Sequence, residues 1–458
     1  MKEHHNVELP TDFKQKYTDL LGETEAKEFF AGFEKEPNHG YRVNPLKRGY
    51  TAKLPIGTKA DHCEFGYFGK VDGKSLTHQS GLVYSQEPSA MYVGEVAHPK
   101  PGERVLDLCA APGGKTTHLG SFMENQGLLV ANEIDSKRAG VLAENIERFS
   151  IRNAVITNTN PEKIANAFPE YFDKVLVDAP CSGEGMFRKD PAAMDYWNLD
   201  YPNQCATRQR EILTEAVKTV KPGGELIYST CTFAPEEDEQ IISWLIENYD
   251  FTIKPIKKFA GMDDGRPEWG NGNSDLINCV RLFPFHFNGE GHFIAKLVKG
   301  NGKVSSKIKP FWKNKNLQRP NKDQTDYFKK FLNENQIDAD FKDLVVYKDS
   351  LFSSNYDLPD LSKVKIVKIG FPLGEFKKGR FEPSFALGLA LTENENKHQL
   401  NIDDNQWRKY VHGDTFTITE SNPKGWYQLV CEGLPVGFGK LVGTTVKNFF
   451  PKGLRYQA

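Results

Sequence analysis

Cys181 and Cys231 each lie a few residues beyond an apolar run with the pattern of a buried strand, in Asp178-Ala179-Pro180-Cys181 and Ser229-Thr230-Cys231-Thr232. Side chains past the carboxyl ends of parallel strands face the ligand crevice of an open sheet. Two thiols there could serve one bound substrate as nucleophile and base. A cysteine taken alone is more often a small inert hydrophobe in the core, so it is the paired placement that points to chemistry. Asp178 also ends its strand; it could hydrogen-bond a substrate amine, or donate a proton if burial raises its pKa. Its competing role is to cap the turn that follows.

Upstream, the apolar run around Val105–Leu108 leads into Cys109, Ala110, Ala111, Pro112, Gly113, Gly114 and Lys115. Small residues let backbone N–H groups approach a ligand closely, and a helix starting near Gly114 would aim its positive end at an anionic group. Gly114-Lys115-Thr116 matches the end of a phosphate-binding P-loop, but Cys109 stands where the first glycine is required, and the GxGxxG dinucleotide spacing is absent. Glu133 ends the next strand about 20 residues on, where an acid commonly accepts hydrogen bonds from ribose hydroxyls. Asp135 or Ser136 suits the cap of the following helix. The pattern fits an adenosine compound with no obligatory phosphate. Lys115 is placed to orient Asp178 or to lower a thiol pKa, and the loop from Gly183 to Asp190 reads as a mobile cover for an RNA or small substrate.

These residues need a scaffold. Strands at Arg104–Leu108, Leu128–Asn132, Ala154–Thr157, Lys174–Val177 and Glu225–Tyr228, with helices at Ser136–Phe149 and Gln204–Val220, indicate a parallel, doubly wound sheet, with Ile294–Val298 as a late strand. Before it, Asp12–Phe33 is helical with a break at Gly22, Tyr41–Lys47 is extended, and Tyr84–Val96 has helical periodicity. After it, Lys299–Lys309 reads as a linker and Thr325–Leu344 as a helix. Short strands follow at Asp414–Ile418, Trp426–Cys431 and Gly437–Val442, with Thr392–Asn405 as a loop or surface segment.

A chain of 458 residues is long enough for two to four domains. At 38% hydrophobic and 26% charged it has a soluble composition, and no apolar run approaches the roughly 18 residues of a membrane span. The start, Met1-Lys2-Glu3-His4-His5, has no signal-peptide pattern, so the cytoplasm is the expected location. Seven cysteines without CxxC pairs, and histidines without zinc spacing, predict reduced thiols and no metal centre. The net charge of −2 decides little about partners. However, nine Lys and Arg residues between Lys296 and Lys322 face no acid and are interleaved with Phe311 and Trp312, and Lys440, Lys447, Lys452 and Arg455 repeat the pattern near the end. Basic residues mixed with aromatics suit phosphate contact and base stacking, although a charge run is more often a solvated face.

Asp107 to Thr116, Val177 to Gly183 and Tyr228 to Thr232, in that order, resemble the cytosine-5 RNA methyltransferases of the NOL/NOP/SUN group, in particular the RsmF type that acts on small-subunit ribosomal RNA. Arg42-Val43-Asn44, Gln86 to Met91, Arg281 to His286 and Gly291-His292-Phe293 extend the resemblance over most of the chain. It implies an α/β fold: a Rossmann-like S-adenosylmethionine-dependent methyltransferase sheet at 98–300, an N-terminal α+β extension at 1–97, a basic linker and small central domain at 301–380, and a PUA-like RNA-binding module at 381–458, with Gly433–Gly439 as a tight turn. It further implies that Cys109, Ala110, Ala111, Pro112, Gly113, Gly114 and Lys115 line the cofactor site with Glu133, Arg138, Asn160 and Asp178. Many relatives carry Asp where this chain has Asn160. Cys231 would be the nucleophile toward cytosine C6, Cys181 would assist release, and Asp178 with Lys115 would hold the base. The implied partner is RNA, 16S rRNA or the 30S subunit, with no DNA and no membrane. A tRNA methyltransferase with the same chemistry, a non-catalytic assembly factor and a nucleotide hydrolase are the competing readings.

Overall fold

The computed structural model describes residues 8–304, 311, 314–355, 357–419 and 422–457. Its centre is a ten-stranded sheet, whose strands in chain order are β1 (Arg104–Asp107), β2 (Leu128–Asn132), β3 (Ala154–Thr157), β4 (Phe172–Asp178), β5 (Val220–Thr230), β6 (Phe251–Ile253), β7 (Met262–Asp264), β8 (Val280–Leu282), β9 (His292–Lys299) and β10 (Ile366–Lys368). Across the sheet they run β7-β8-β9-β5-β4-β1-β2-β3-β10, with β6 pairing β9. Strands β1 to β5 are parallel. Their apolar runs are nearly continuous because helices cover both faces, leaving no wet side for polar alternation. The chain leaves β1 toward β2 and β3, then returns to β4 and β5 on its other side, so the topological switch falls between β1 and β4. Ligands bind at the carboxyl ends beside such a point.

The late strand joins as expected but antiparallel, with Phe293 opposite Thr230. The far edge is closed by β10, which arrives from the C-terminal third and pairs antiparallel with β3.

Helix α1 (Thr11–Gly32) bends at Gly22, whose φ of 74° is non-helical. It buries Phe13, Tyr17 and Phe29 against Phe187, Trp197, Phe233 and Phe283, which fastens the N-terminal region to the loops above the sheet. A four-stranded antiparallel sheet contains Gly40–Val43 and Val83–Ser85. The helical reading of Tyr84–Val96 is therefore too long at its start. Helix α2 (Pro88–Ala97) begins where Glu87 accepts the N–H groups of Ser89 and Ala90 and Pro88 occupies the first turn.

The C-terminal third carries two five-stranded sheets. The predicted helix at Thr325–Leu344 is Lys322–Glu334 instead: an Asn321–Gln324 capping box starts it, the chain turns at Asn335 and Gln336, and Leu344–Tyr347 is a strand. Thr392–Asn405 is not only loop, because Gln399–Asn401 pairs parallel with Gly425–Cys431. The turn placed at Gly433–Gly439 is confined to Glu432 and Gly433, both at positive φ as a two-residue hairpin requires, and Leu434–Val442 is strand. Of the basic residues, Lys296 pairs with Glu225 and Lys299 bonds to the Val217 and Val220 carbonyls within the fold. Phe311 is buried in the core, whereas Lys307, Lys309, Trp312 and Lys313 lie outside the described residues. No helix among the described residues is long and apolar enough to cross a membrane.

Candidate active site

The turn after β1 is tied down on three sides. Leu108 N–H donates to the Leu176 carbonyl on β4, Ala110 N–H to the Asn132 carbonyl on β2, and Ala111 N–H to Glu133 Oε2 at 3.3 Å. Gly113 takes φ 111°, and helix α3 (Gly114–Met123) starts directly after it. From below, the buried Arg42 guanidinium donates to the Gly114 carbonyl at 2.6 Å and to Thr117 Oγ1 at 2.8 Å, and its Nε donates to Gln86. The first turn of α3 is thus held by the N-terminal region.

Glu133 follows β2 and is buried, with Oε1 accepting from Asp135 N–H. Arg138, on helix α4 (Ser136–Arg148), donates to the Ala111 carbonyl at 2.8 Å and stands 3.7 Å from Glu133. Asp107, at the end of β1, accepts from Thr116 through one oxygen, while the other has no partner among the described residues. Burial pushes its carboxyl up to about 7. Asn160 is exposed and caps the helix Pro161–Ala167, with its side-chain oxygen accepting from Lys163 N–H. Cys109, Ala110, Ala111, Pro112, Gly113, Gly114, Glu133 and Arg138 therefore surround one turn, and Asn160 sits at the end of the neighbouring strand. A ribose fits this donor set. Glu133 retains acceptor capacity beyond its two backbone bonds, and Arg138 steadies the turn from outside.

The thiols meet across β4 and β5, where Asp178 and Ser229 are register partners. Cys181 Sγ and Cys231 Sγ are 3.3 Å apart, and the Cys231 N–H approaches Cys181 Sγ at 3.4 Å. Both cysteines are partly exposed. The hydrogen bond with Cys231, together with burial, drives the Cys181 thiol well above its ordinary pKa. Asp178 accepts from Lys115 Nζ at 2.8 Å and from Ser229 Oγ at 2.7 Å. Burial alone would lower Lys115, but the Asp178 carboxylate outweighs it and raises the ammonium above its usual pKa. A charged pair, two sulfurs and the glycine-rich turn after β1 therefore converge on one crevice.

The loop from Gly183 to Asp190 is anchored rather than mobile. Glu184 is buried and accepts from Tyr17 of α1, Trp197 and Thr232, while buried Arg188 pairs with Glu290 at 2.9 Å. A buried carboxylate and guanidinium each with several partners leave the segment little freedom.

Sequence reasoning assigned no role to Arg42, Gln86, Asp107, Ser229 or His292. His292, buried at the start of β9, is paired with Ser89 through Nδ1 at 3.1 Å, while Nε2 has no partner among the described residues. Burial and the Lys115 charge bring its pKa down to about 4, so it faces this crevice neutral. The ordered motifs that contain Arg42, Gln86 and His292 were the available signal. Asp107 and Ser229 lay inside the strand motifs already quoted.

Four family descriptions match the chain in sequence order. They are the N-terminal domain of 16S rRNA methyltransferase RsmF at 9–88, 16S rRNA methyltransferase RsmB/F at 95–298, the RsmF rRNA methyltransferase first C-terminal domain at 330–391 and the methyltransferase RsmF PUA domain at 397–456. Ribosomal RNA small subunit methyltransferase F of Vibrio vulnificus is 30% identical over 98% of both chains. The protein of the same name from Shewanella loihica is 32% identical over 86% of this chain and 82% of its own. Among solved structures, a methyltransferase homolog protein from Pyrococcus horikoshii matches with a TM-score of 0.55 and 30% identity, covering 63% of this chain and 94% of that one. NSun6 from the same organism, solved with SFG, matches with a TM-score of 0.56 and 21% identity over 65% of this chain and 100% of that one, a likeness of fold.

Proposed function

The chain belongs to the 16S rRNA methyltransferase RsmB/F family, and from that premise we propose that it methylates C5 of cytosine in small-subunit rRNA through a covalent Cys231–C6 adduct. The observation that carries this reading is the 3.3 Å approach of Cys181 and Cys231 beside the 2.8 Å Lys115–Asp178 pair. Cytosine C5 is too weakly nucleophilic to take a methyl group unaided. Addition of the Cys231 thiolate to C6 gives C5 enamine character, and Asp178, held by Lys115 and Ser229, hydrogen-bonds the base and stabilises protonation at N3. When bound, S-adenosylmethionine supplies the electrophilic methyl group that C5 acquires. Cys109 to Lys115 with Glu133, Arg138, Asn160 and Asp178 are the residues that would hold it.

Cys181 then assists removal of the C5 proton, and the electron pair left behind expels Cys231 from C6. The timing has a physical basis. The hydrogen bond with Cys231 is the leading reason that Cys181 keeps its proton, and it weakens once the Cys231 sulfur is committed to carbon. Cys181 is released to act at the stage where a base is needed.

The target base must leave its stack to enter the crevice, so a locally opened RNA segment, free or within the 30S particle, is the expected substrate. The N-terminal region at 1–97, the stretch at 301–380 and the PUA-like module at 381–458 would carry the RNA around the catalytic region at 98–300, in the cytoplasm. Purified protein incubated with methyl-labelled S-adenosylmethionine and small-subunit rRNA, tRNA or 30S particles, followed by bisulfite sequencing, tests the reading. A protected cytosine in small-subunit rRNA is expected. Label confined to tRNA would keep the chemistry and discard the substrate, and label at a position other than cytosine C5 would discard the chemistry.

A further inference from the structure

Away from the crevice, Cys63, Glu95 and His118 converge from three separate segments. Cys63 lies in the N-terminal region just before the strand Gly66–Phe68, Glu95 lies on α2, and His118 is one turn beyond Lys115 on α3. Their ligand atoms all lie within 4.8 Å of one another. His118 Nε2 is 3.3 Å from Glu95 Oε1 and 3.9 Å from Cys63 Sγ. A tetrahedral zinc with one sulfur, one nitrogen and one oxygen ligand at about 2.0–2.3 Å has edges of roughly 3.3–3.6 Å, close to this triangle before any adjustment.

The surroundings are built as well. Cys63 and His118 are buried, and Glu95 Oε1 is oriented by the Glu64 N–H at 2.7 Å. His118 stacks on Phe122 and is pressed so closely on α2 that a Cβ at position 94 would stand 2.2 Å from its Nδ1, so Gly94 is what makes room for the ring. At the mouth of the cluster, half-exposed His98 at the left-handed cap of α2 has Nδ1 4.0 Å from the other oxygen of Glu95.

We propose that Cys63, Glu95 and His118 bind a zinc ion that staples the N-terminal region to the helix carrying Lys115. Zn²⁺ displaces the Cys63 proton to solvent, and the resulting thiolate and Glu95 carboxylate balance its charge. The expectation of no metal rested on local spacing, and positions 63, 95 and 118 have none.

The full chain, purified without a metal-affinity tag, equilibrated with zinc and passed over a chelating resin, is expected to retain about one zinc per chain. Replacement by Co²⁺ should give a thiolate-to-cobalt charge-transfer band that Cys63→Ser removes and Cys181→Ser/Cys231→Ser keeps. The second variant separates this site from the crevice thiols. Because Cys63→Ser can misfold, the wild-type Tm is also followed, and it should rise with zinc and fall again with a chelator. Wild-type protein that retains no zinc, a Tm indifferent to both additions, or a band that follows Cys181 and Cys231 instead of Cys63 overturns the proposal.

Discussion

The crevice at the ends of β4 and β5 and the seam where the C-terminal third docks onto the sheet are both rich in polar side chains, yet they are wired in opposite ways. At the seam every group named below has a partner within the chain. Asn158 donates to the Glu133 and Ile134 carbonyls and accepts from Lys365, Arg152 makes a two-pronged pair with Glu395, and Lys47 donates to the Leu389 carbonyl. In the crevice, among the described residues, Asp107 keeps an unpaired oxygen, His292 an unpaired nitrogen, and two sulfurs have chiefly each other. Buried polar groups are normally satisfied, so the unpartnered atoms of Asp107 and His292 beside two partly exposed thiols are where a ligand is expected. Substitutions at the seam should therefore change stability, and those in the crevice should change turnover.

The sharpest test of that contrast is Cys231→Ala. Removing the proposed nucleophile should lower methyl incorporation into RNA by roughly a thousandfold or more while the thermal unfolding curve stays close to that of wild type. A variant that loses Tm in proportion to activity would erase the distinction. Cys181→Ala should also stop turnover, but by stalling after addition: an RNA–protein adduct that survives denaturation should accumulate on a gel. Simple loss of activity without adduct, equal to that of Cys231→Ala, would remove the division of roles between the sulfurs.

The same contrast explains what could be seen in the sequence. Strands β1 to β4 have runs that are apolar on both faces, and the reading placed them within two residues because helices on both sides impose that pattern. In the C-terminal third the reading of Trp426–Cys431 fell within one residue of the strand Gly425–Cys431, but the helix Lys322–Glu334 was drawn ten residues too long at its end because apolar Ile337 and Phe341 kept a helical spacing past Asn335. In the site, Cys181, Cys231, Asp178 and Lys115 were legible because each lies beside a strand end or in the glycine-rich turn. Arg42 reaches that turn from the N-terminal sheet and His292 reaches the crevice from an antiparallel strand. No local spacing could show that Arg42 would bond to Gly114 or that His292 would face Lys115.

At the seam, Arg152→Ala should cost about 1–3 kcal/mol by leaving the Glu395 carboxylate without its charge-assisted bonds, with methyl transfer per folded molecule unchanged. The effect has a signature in pH. Burial would raise the Glu395 pKa, but the Arg152 hydrogen bonds and charge outweigh it and the native value lies below the ordinary 4.5. A group depressed on folding stabilises above its unfolded pKa and loses that contribution as the pH falls through the native one. Urea unfolding of wild type and Arg152→Ala should therefore differ near neutrality and draw together as the pH falls below the ordinary glutamate pKa of 4.5. A gap that persists in acid would assign the loss to the guanidinium's hydrogen bond to the Ala390 carbonyl and its packing against Phe371, 6.0 Å from its ring centre, instead of to the ion pair.

The smallest effect tests the boundary between the two regions. Asn160 stands next to Thr159, whose carbonyl accepts from Asn132, and two residues from Asn158, which the seam claims through Lys365. Its oxygen already caps a helix, so Asn160→Ala should cost about 1 kcal/mol of stability and raise the KM for S-adenosylmethionine severalfold with little change in kcat, because uniform binding is lost and not transition-state contact. Asn160→Asp retains the cap and offers an acceptor, so it should recover both properties, and calorimetric titration of the cofactor reads the binding part directly. If alanine lowers stability but leaves cofactor affinity untouched, Asn160 belongs with the seam, and the crevice ends at Glu133.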